Sequence, residues 1–276
     1  MWAILGANGM LGSDLCVELA GNAYPITRSD IDIASPTLRN QLDCLPPITH
    51  LINAAAYTKV DLAENESDMA QLINADAVGI MANWCRERGV TLVHFSTEYV
   101  FDGLGVHGWT ESDLPNPINA YGHSKWKGEM AIQSSGCAAI IMRVQWLYGE
   151  KGAHFVSTIR RLLRTGDPVA VVDDQWGCPT PTRYVAKMVR YWIDHQLPLG
   201  ILHLSGDEWV RWVDVASRIA AVDGKVGMVK PVPTTQFPRP AKRPANGRLS
   251  HQLAHSWGMP SFNWQNELID YLRNMN

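Results

Sequence analysis

The chain has 276 residues, with 24 Lys and Arg against 27 Asp and Glu and a net charge of −3. That length suits one large α/β domain or a domain and a half, and the evenly mixed charge excludes a broad basic footprint for nucleic acid. Five scattered cysteines, Cys16, Cys44, Cys85, Cys137 and Cys178, form no Cys-x-x-Cys, which argues against a disulfide framework or a zinc site and for a reducing compartment. Met1 runs directly into an apolar segment without a basic region or cleavage signal, and no apolar run is long enough to span a membrane. A cytoplasmic protein without a membrane partner is expected.

Trp2 to Leu5 reads as a short buried strand, Gly6 to Gly12 as a loop and Ser13 to Ala20 as a first helix. Tyr24 to Thr27 follows as a second strand, Leu38 to Leu42 as a short helix, and His50 to Asn53 as a strand entering Ala54-Ala55-Ala56. A helical pattern covers Asp68 to Arg88, a strand Thr91 to Thr97, a helix the region of Tyr121 and Lys125, and a strand Ala138 to Arg143. Strands alternating with helices predict an α/β fold, a Rossmann-like doubly wound parallel sheet. Beyond Trp146 the alternation weakens, with helices near Phe155 to Arg164 and Tyr184 to His195, a strand Val169 to Val172 and a proline-rich stretch Pro231 to Pro244. The expected division is a dinucleotide-binding domain over 1–145 and a smaller substrate-binding lobe over 146–276, some of whose segments return to the first domain.

Gly6-Ala7-Asn8-Gly9-Met10-Leu11-Gly12 has the spacing G-x-x-G-x-x-G at the first strand-to-helix junction. Glycines there let backbone N–H groups and a helix N-terminus approach a pyrophosphate. An ordinary turn would explain the bare pattern, but its position favours a dinucleotide held by Gly6, Asn8, Gly9, Met10, Leu11 and Gly12. Past the second strand, Arg28 stands where an adenosine ribose would lie and can hold a 2′-phosphate, which favours NADPH. Asp30, and Asp32 with Ile33, border the same place and leave NADH open; a solvated surface Arg28 explains the residue equally well.

Tyr121 and Lys125 are four apart, so on a helix their side chains share one face. Free Tyr titrates near pH ~10, and a neighbouring ammonium favours the phenolate, so the pair can pass a proton. Thr97, at the C-terminal edge of its strand, is positioned to donate a hydrogen bond to the same substrate oxygen. Alone, such a pair is usually a surface helix with a solvated Lys; together with the glycine loop it points to carbonyl reduction.

These residues, with Asn53 to Thr58, Val60-Asp61, Glu64, Ser96-Thr97-Glu98-Tyr99-Val100-Phe101-Asp102-Gly103, Tyr121-Gly122-His123-Ser124-Lys125, Gly128-Glu129, Arg143, Trp146-Leu147-Tyr148-Gly149, Asp174-Gln175, Gly177, Pro179-Thr180, Arg243-Pro244 and Arg248-Leu249, carry a resemblance along nearly the whole chain. It resembles the extended short-chain dehydrogenase/reductase superfamily, and most closely the dTDP-4-dehydrorhamnose reductases. The resemblance implies Tyr121, Lys125 and Thr97 as the catalytic set, with Tyr121 and Lys125 also at the cofactor. Ala54, Ala55 and Ala56 would border the cofactor, and Thr97, Glu98 and Trp146 would face the sugar. The implied reaction is NADPH-dependent reduction of a nucleotide sugar's 4-keto group; the sequence leaves the oligomeric state open, with a homodimer one option. Three positions depart from the family pattern: Glu98 replaces the usual Asp, Val144 a Thr or Ser, and Gly247 a Ser.

Other readings are a reductase or epimerase of another nucleotide sugar, and a non-catalytic subunit like the regulatory relative of methionine adenosyltransferase. Trp146 favours an enzyme. Arg239, Lys242 and Arg243 are either ligands of a sugar nucleotide's diphosphate or a solvated loop. Cys178 reads as a packing residue rather than a nucleophile. His251 and His255 are four apart, but no third ligand stands near them in sequence, so no metal is expected.

Overall fold

A computed structural model describes residues 1–275. Six strands form one wholly parallel sheet: β1 (Trp2–Leu5), β2 (Ala23–Ile26), β3 (His50–Asn53), β4 (Thr91–Thr97), β5 (Ala139–Val144) and β6 (Gly200–His203), in the order β6-β5-β4-β3-β1-β2. Alternate residues of each strand point to opposite faces. Ile4, Ile52, Val93, Ile140 and Met142 enter one apolar cluster, and Ala3, Leu5, Leu51, Leu92 and Ile141 the other. Both faces are therefore covered, as a parallel sheet requires.

The first face is covered by α1 (Met10–Glu18) and α7 (Thr182–Asp194), which Thr182 Oγ1 ties together through a hydrogen bond to Asp14. The second is covered by α2 (Leu38–Asp43), α4 (Ala77–Arg88) and α5 (Ala120–Ser135). Residues after 146 thus contribute both β6 and α7 to the sheet layers. The rest of that half contains α6 (Phe155–Arg164), α8 (Trp212–Val222) and α10 (Trp264–Asn274), with a two-stranded parallel ribbon of Val169–Val172 and Val229–Val232. Sequence periodicity does not single out β6, α8 or α10.

Two local departures from the expected elements matter for the site. Helix α1 starts at Met10, three residues before Ser13, because Gly6 turns the chain at φ +77° and Gly9 is already the N-cap. The expected helix over Asp68 to Arg88 is interrupted: α3 (Ser67–Gln71) and α4 flank a π turn over Leu72–Asp76. A π turn adds a residue to one turn and re-aims what it carries. Here the buried Asn74 side chain accepts from Tyr57 N–H (2.9 Å) and donates to Tyr57 C=O (2.9 Å) and Ser124 Oγ (2.9 Å). It clamps the loop after β3 to helix α5.

Candidate active site

The sheet order reverses at β1, which has β2 on one side and β3 on the other, and ligands of open α/β sheets bind at the carboxyl end of such a switch point. The turns after β1 and β3 are pressed together there. A Cβ on Gly6 would lie 2.9 Å from Ala55 N and 3.0 Å from the carbonyl carbon of Ala54, and a Cβ on Gly12 would collide with Gly6 O. Only glycine lets α1 start this close to the turn. No side chain caps α1, so its first N–H groups, at Met10 and Leu11, are available to an anion. Asn8 and Gly9 are exposed, while the Leu11 side chain is in the core. The cradle fits a dinucleotide's pyrophosphate.

Arg28 lies just past β2 with its side chain 80% exposed, and it is ion-paired with Asp32 at 3.2 Å. Asp32 also accepts from Ala34 N–H (3.0 Å), and Asp30 is engaged with Thr27, which holds its carboxyl below the ordinary range. Ile33, expected at the cofactor, is a buried member of the second apolar cluster. Ala54 and Ala55 adjoin the glycine turn and Ala56 is exposed.

Asn119 caps α5, accepting from Gly122 N–H at 2.8 Å and donating to Lys242 C=O at 2.8 Å, so the helix bearing Tyr121 and Lys125 is fixed at its first turn. A buried ion pair of Glu129 and Arg143, at 2.7 Å, fixes the same helix to β5 further along. Tyr121 is half-buried and meets Tyr99 edge to face, with ring centroids 5.6 Å apart. Lys125 is buried, and its Nζ donates to Phe95 C=O (2.6 Å) and lies 3.4 Å from His94 Nε2; His94 Nδ1 is 3.2 Å from the Asn53 amide. Burial pushes Lys125 down to about 8 and holds His94 well below the usual imidazole range, so His94 is neutral.

The expectation that the Lys125 ammonium lowers the Tyr121 pKa is not met in this structure. Burial and the Glu98 charge push the Tyr121 hydroxyl above its ordinary value, with Thr97 opposing them, while the ammonium is spent on the β4 carbonyl. A phenol that keeps its proton is suited to give it.

Thr97 donates to Glu98 Oε2 at 2.7 Å and accepts from Tyr99 N–H at 3.2 Å. Glu98 is buried, which pushes its carboxyl up to about 7 against the Thr97 hydrogen bond. Its added methylene occupies space left by Gly247, where a Cβ would come within 3.1 Å of Glu98 Cγ. Glu98, Tyr99, Trp146, Gln175, Trp176, Arg243, Pro244 and Gly247 line one narrow cleft. Trp146 takes φ +46°, stacks on Trp212 at 3.5 Å between centroids, and lies against Gly177. It borders the cleft and packs the second half at the same time.

Arg243 is clamped by Asp61 (Nη2 to Oδ2, 2.9 Å), Arg239 lies over the Phe237 ring, and Lys242 is exposed; only Arg243 of the three reaches the cleft. Cys178 is buried with its thiol pushed up to about 12, which suits a packing residue. Sequence alone does not single out Asn74, His94 or Trp176; a buried polar residue inside a helical pattern is the one available signal for Asn74. Beside His251 and His255 stands Asp207, distant in sequence.

A wholly parallel sheet with a glycine turn and an uncapped helix start at its switch point is the architecture of a dinucleotide-dependent oxidoreductase of the short-chain dehydrogenase/reductase type. Residues 2–276 match the family described as RmlD substrate binding domain, and the chain belongs to that family. It is 33% identical to a dTDP-4-dehydrorhamnose reductase of Burkholderia thailandensis, over 95% of this chain and 94% of the relative. It is 36% identical to a dTDP-4-keto-6-deoxy-D-glucose reductase of Streptomyces niveus, over 97% of this chain and 94% of the relative. The crystal structure of dTDP-4-dehydrorhamnose reductase from Bacillus anthracis in complex with NADP superposes with a TM-score of 0.94 at 34% identity, covering 99% of each chain. Among the described residues no helix is long and apolar enough to cross a membrane.

Proposed function

We propose that this chain reduces the 4-keto group of dTDP-4-dehydro-L-rhamnose to give dTDP-L-rhamnose, using NADPH. The observation that supports the reading is Lys125 of α5 bonded to the strand that ends at Thr97, with Tyr121 one helical turn before it, in a chain that shares a third of its residues with reductases of that name. Bound NADPH supplies the hydride. Tyr121 gives its proton to the carbonyl oxygen as charge develops there, and Thr97 donates a hydrogen bond to the same oxygen. Lys125 balances the resulting phenolate and holds the cofactor ribose; to do so its ammonium exchanges part of its bond to Phe95 C=O. Main-chain groups from Gly6 to Gly12 take the pyrophosphate, and Ala54 to Ala56 border the cofactor. Arg28 trades Asp32 for a 2′-phosphate. Glu98 and Trp146 face the sugar, within a substrate lobe drawn mainly from residues 146–276.

Exposed Met69, Leu72, Ile80 and Met130, on the α3–α5 layer, support a homodimer, and the scattered free cysteines support a cytoplasmic location. The test is direct: the purified chain is mixed with NADPH and dTDP-4-dehydro-L-rhamnose, and both NADPH loss and the sugar product are followed. No NADPH consumption would refute the assignment, and faster turnover of dTDP-4-keto-6-deoxy-D-glucose would move it to the other sugar.

A further inference from the structure

Outside the cleft, Asp207 leaves the loop after β6 and meets two histidines of the short helix α9 (Gln252–Ser256) and its N-cap. Asp207 Oδ1 lies 3.2 Å from His251 Nε2 and 3.4 Å from His255 Nε2, and the ligand atoms of all three fall within 4.8 Å of one another. Three donors bound to one tetrahedral ion at ~2.0–2.1 Å are separated by roughly 3.3 Å, so both measured separations match edges of a coordination sphere. The rest of the loop is otherwise occupied. Gln145 donates to Ser205, and Glu208 accepts from Trp264 Nε1 at 2.9 Å, which leaves Asp207 aimed at the imidazoles. Asp207 Oδ2 accepts from Ser261 Oγ at 2.5 Å, the outer hydrogen bond that orients a ligating carboxylate.

We propose that Asp207, His251 and His255 bind a divalent transition metal of the zinc class. Two imidazole nitrogens and one carboxylate suit Zn²⁺, Co²⁺ or Ni²⁺, whereas Mg²⁺ and Ca²⁺ prefer oxygen ligands. With Asp207 and His255 each about half exposed, water completes the coordination. The role is structural. The loop carrying Asp207 continues into Val210–Arg211, which pairs with Trp176–Gly177 in the wall of the cleft, so the metal fastens that wall to α9.

The full-length enzyme, freed of metal with EDTA, is titrated with Zn²⁺ by calorimetry and with Co²⁺ by its visible spectrum, beside Asp207→Asn, His251→Gln and His255→Ala. The expected result is one tight equivalent in the parent and an affinity lower by about 10-fold or more in each variant. Zn²⁺ at 100 times its Kd should also raise the parent Tm by about 5 °C. His255→Ala removes an exposed side chain, and its circular dichroism and metal-free reductase rate should equal those of the parent. Zn²⁺ binding unchanged in His255→Ala and Asp207→Asn, or no binding by the parent, would overturn the proposal and leave a hydrogen-bonded Asp–His cluster. Reductase activity is read separately, so the two assignments fail independently.

Discussion

Glu98 is a buried carboxylate beside the proposed acid, and replacing it by Gln should have a pH-dependent effect on stability. Burial raises its pKa from 4.5 in the unfolded chain to about 7 in the folded one. The folded protein therefore holds the proton more tightly than the unfolded one between those values. Protonated Glu98 costs nothing below about pH 4.5, and the cost of ionising it grows as pH rises to 7, where it is complete. At 1.36 kcal/mol per unit, a shift of about 2.5 units is about 3 kcal/mol. The replacing amide does not titrate and can still accept the Thr97 hydroxyl, so Glu98→Gln should exceed the parent in stability by about 3 kcal/mol at pH 8 and by almost nothing near pH 4.5. Unfolding entropy of roughly 2.1 cal/mol/K per residue converts this to a Tm gain of about 5 °C at pH 8. Thermal unfolding of both proteins from pH 4.5 to 8 measures it, and a Tm difference that does not change with pH would refute the reasoning. The kcat/KM profile supplies a second reading: ionised Glu98 pulls the Thr97 proton away from the ketone, so the parent should lose activity above about pH 7 along a limb that Glu98→Gln lacks.

Tyr121→Phe should lower turnover by about 10²–10⁴-fold while NADPH binding, followed by fluorescence, stays near the parent value. Glu129→Gln strands the buried Arg143 guanidinium, and breaking such a pair costs about 3–5 kcal/mol, or a Tm loss of about 5–9 °C in calorimetry. Arg28→Ala should weaken NADPH by about 1.5–3 kcal/mol and leave NADH nearly unchanged, as titrations of each cofactor would report. Trp146→Ala should raise the KM for the sugar nucleotide and, because the indole stacks on Trp212, should also lower Tm, with NADPH affinity retained.

The features legible in the sequence are those whose signal is local. The glycine spacing after an apolar strand and the four-residue step from Tyr121 to Lys125 state their geometry within one turn or one helix. Helix α1 begins three residues before its expected start because Met10 and Leu11 read as loop, although an uncapped start next to Gly9 is what opens the anion cradle. What escapes sequence reading depends on contacts far apart in the chain. Asn74 meets Ser124 across 50 residues, and its π turn leaves no mark on helical periodicity. His94 looks like a strand residue until Lys125 arrives beside it, and Asp207 has no relation to His251 until β6 returns to the sheet. The polarity of the Tyr121–Lys125 pair departs from expectation for a related reason: spacing places two side chains on one face but says nothing of the Phe95 carbonyl that takes the ammonium.

The tail from Ala241 to Gly247 reaches Asp61, Asn119 and Trp176 through hydrogen bonds and adjoins Glu98, so its consequences are temporal as well as spatial. A ribosome releases the N-terminal end first. All six strands of the parallel sheet, the glycine cradle and the Tyr121 helix have been synthesised before Arg243 exists, and until then Asp61 has no guanidinium to hold and Asn119 no Lys242 carbonyl to receive its amide. The growing protein therefore has the whole parallel sheet while the wall of the cleft formed by Arg243, Pro244 and Gly247 is missing. A message cut short before codon 241 would encode all six strands but neither this wall of the cleft nor α10, whose Trp264, Leu268 and Leu272 belong to the core.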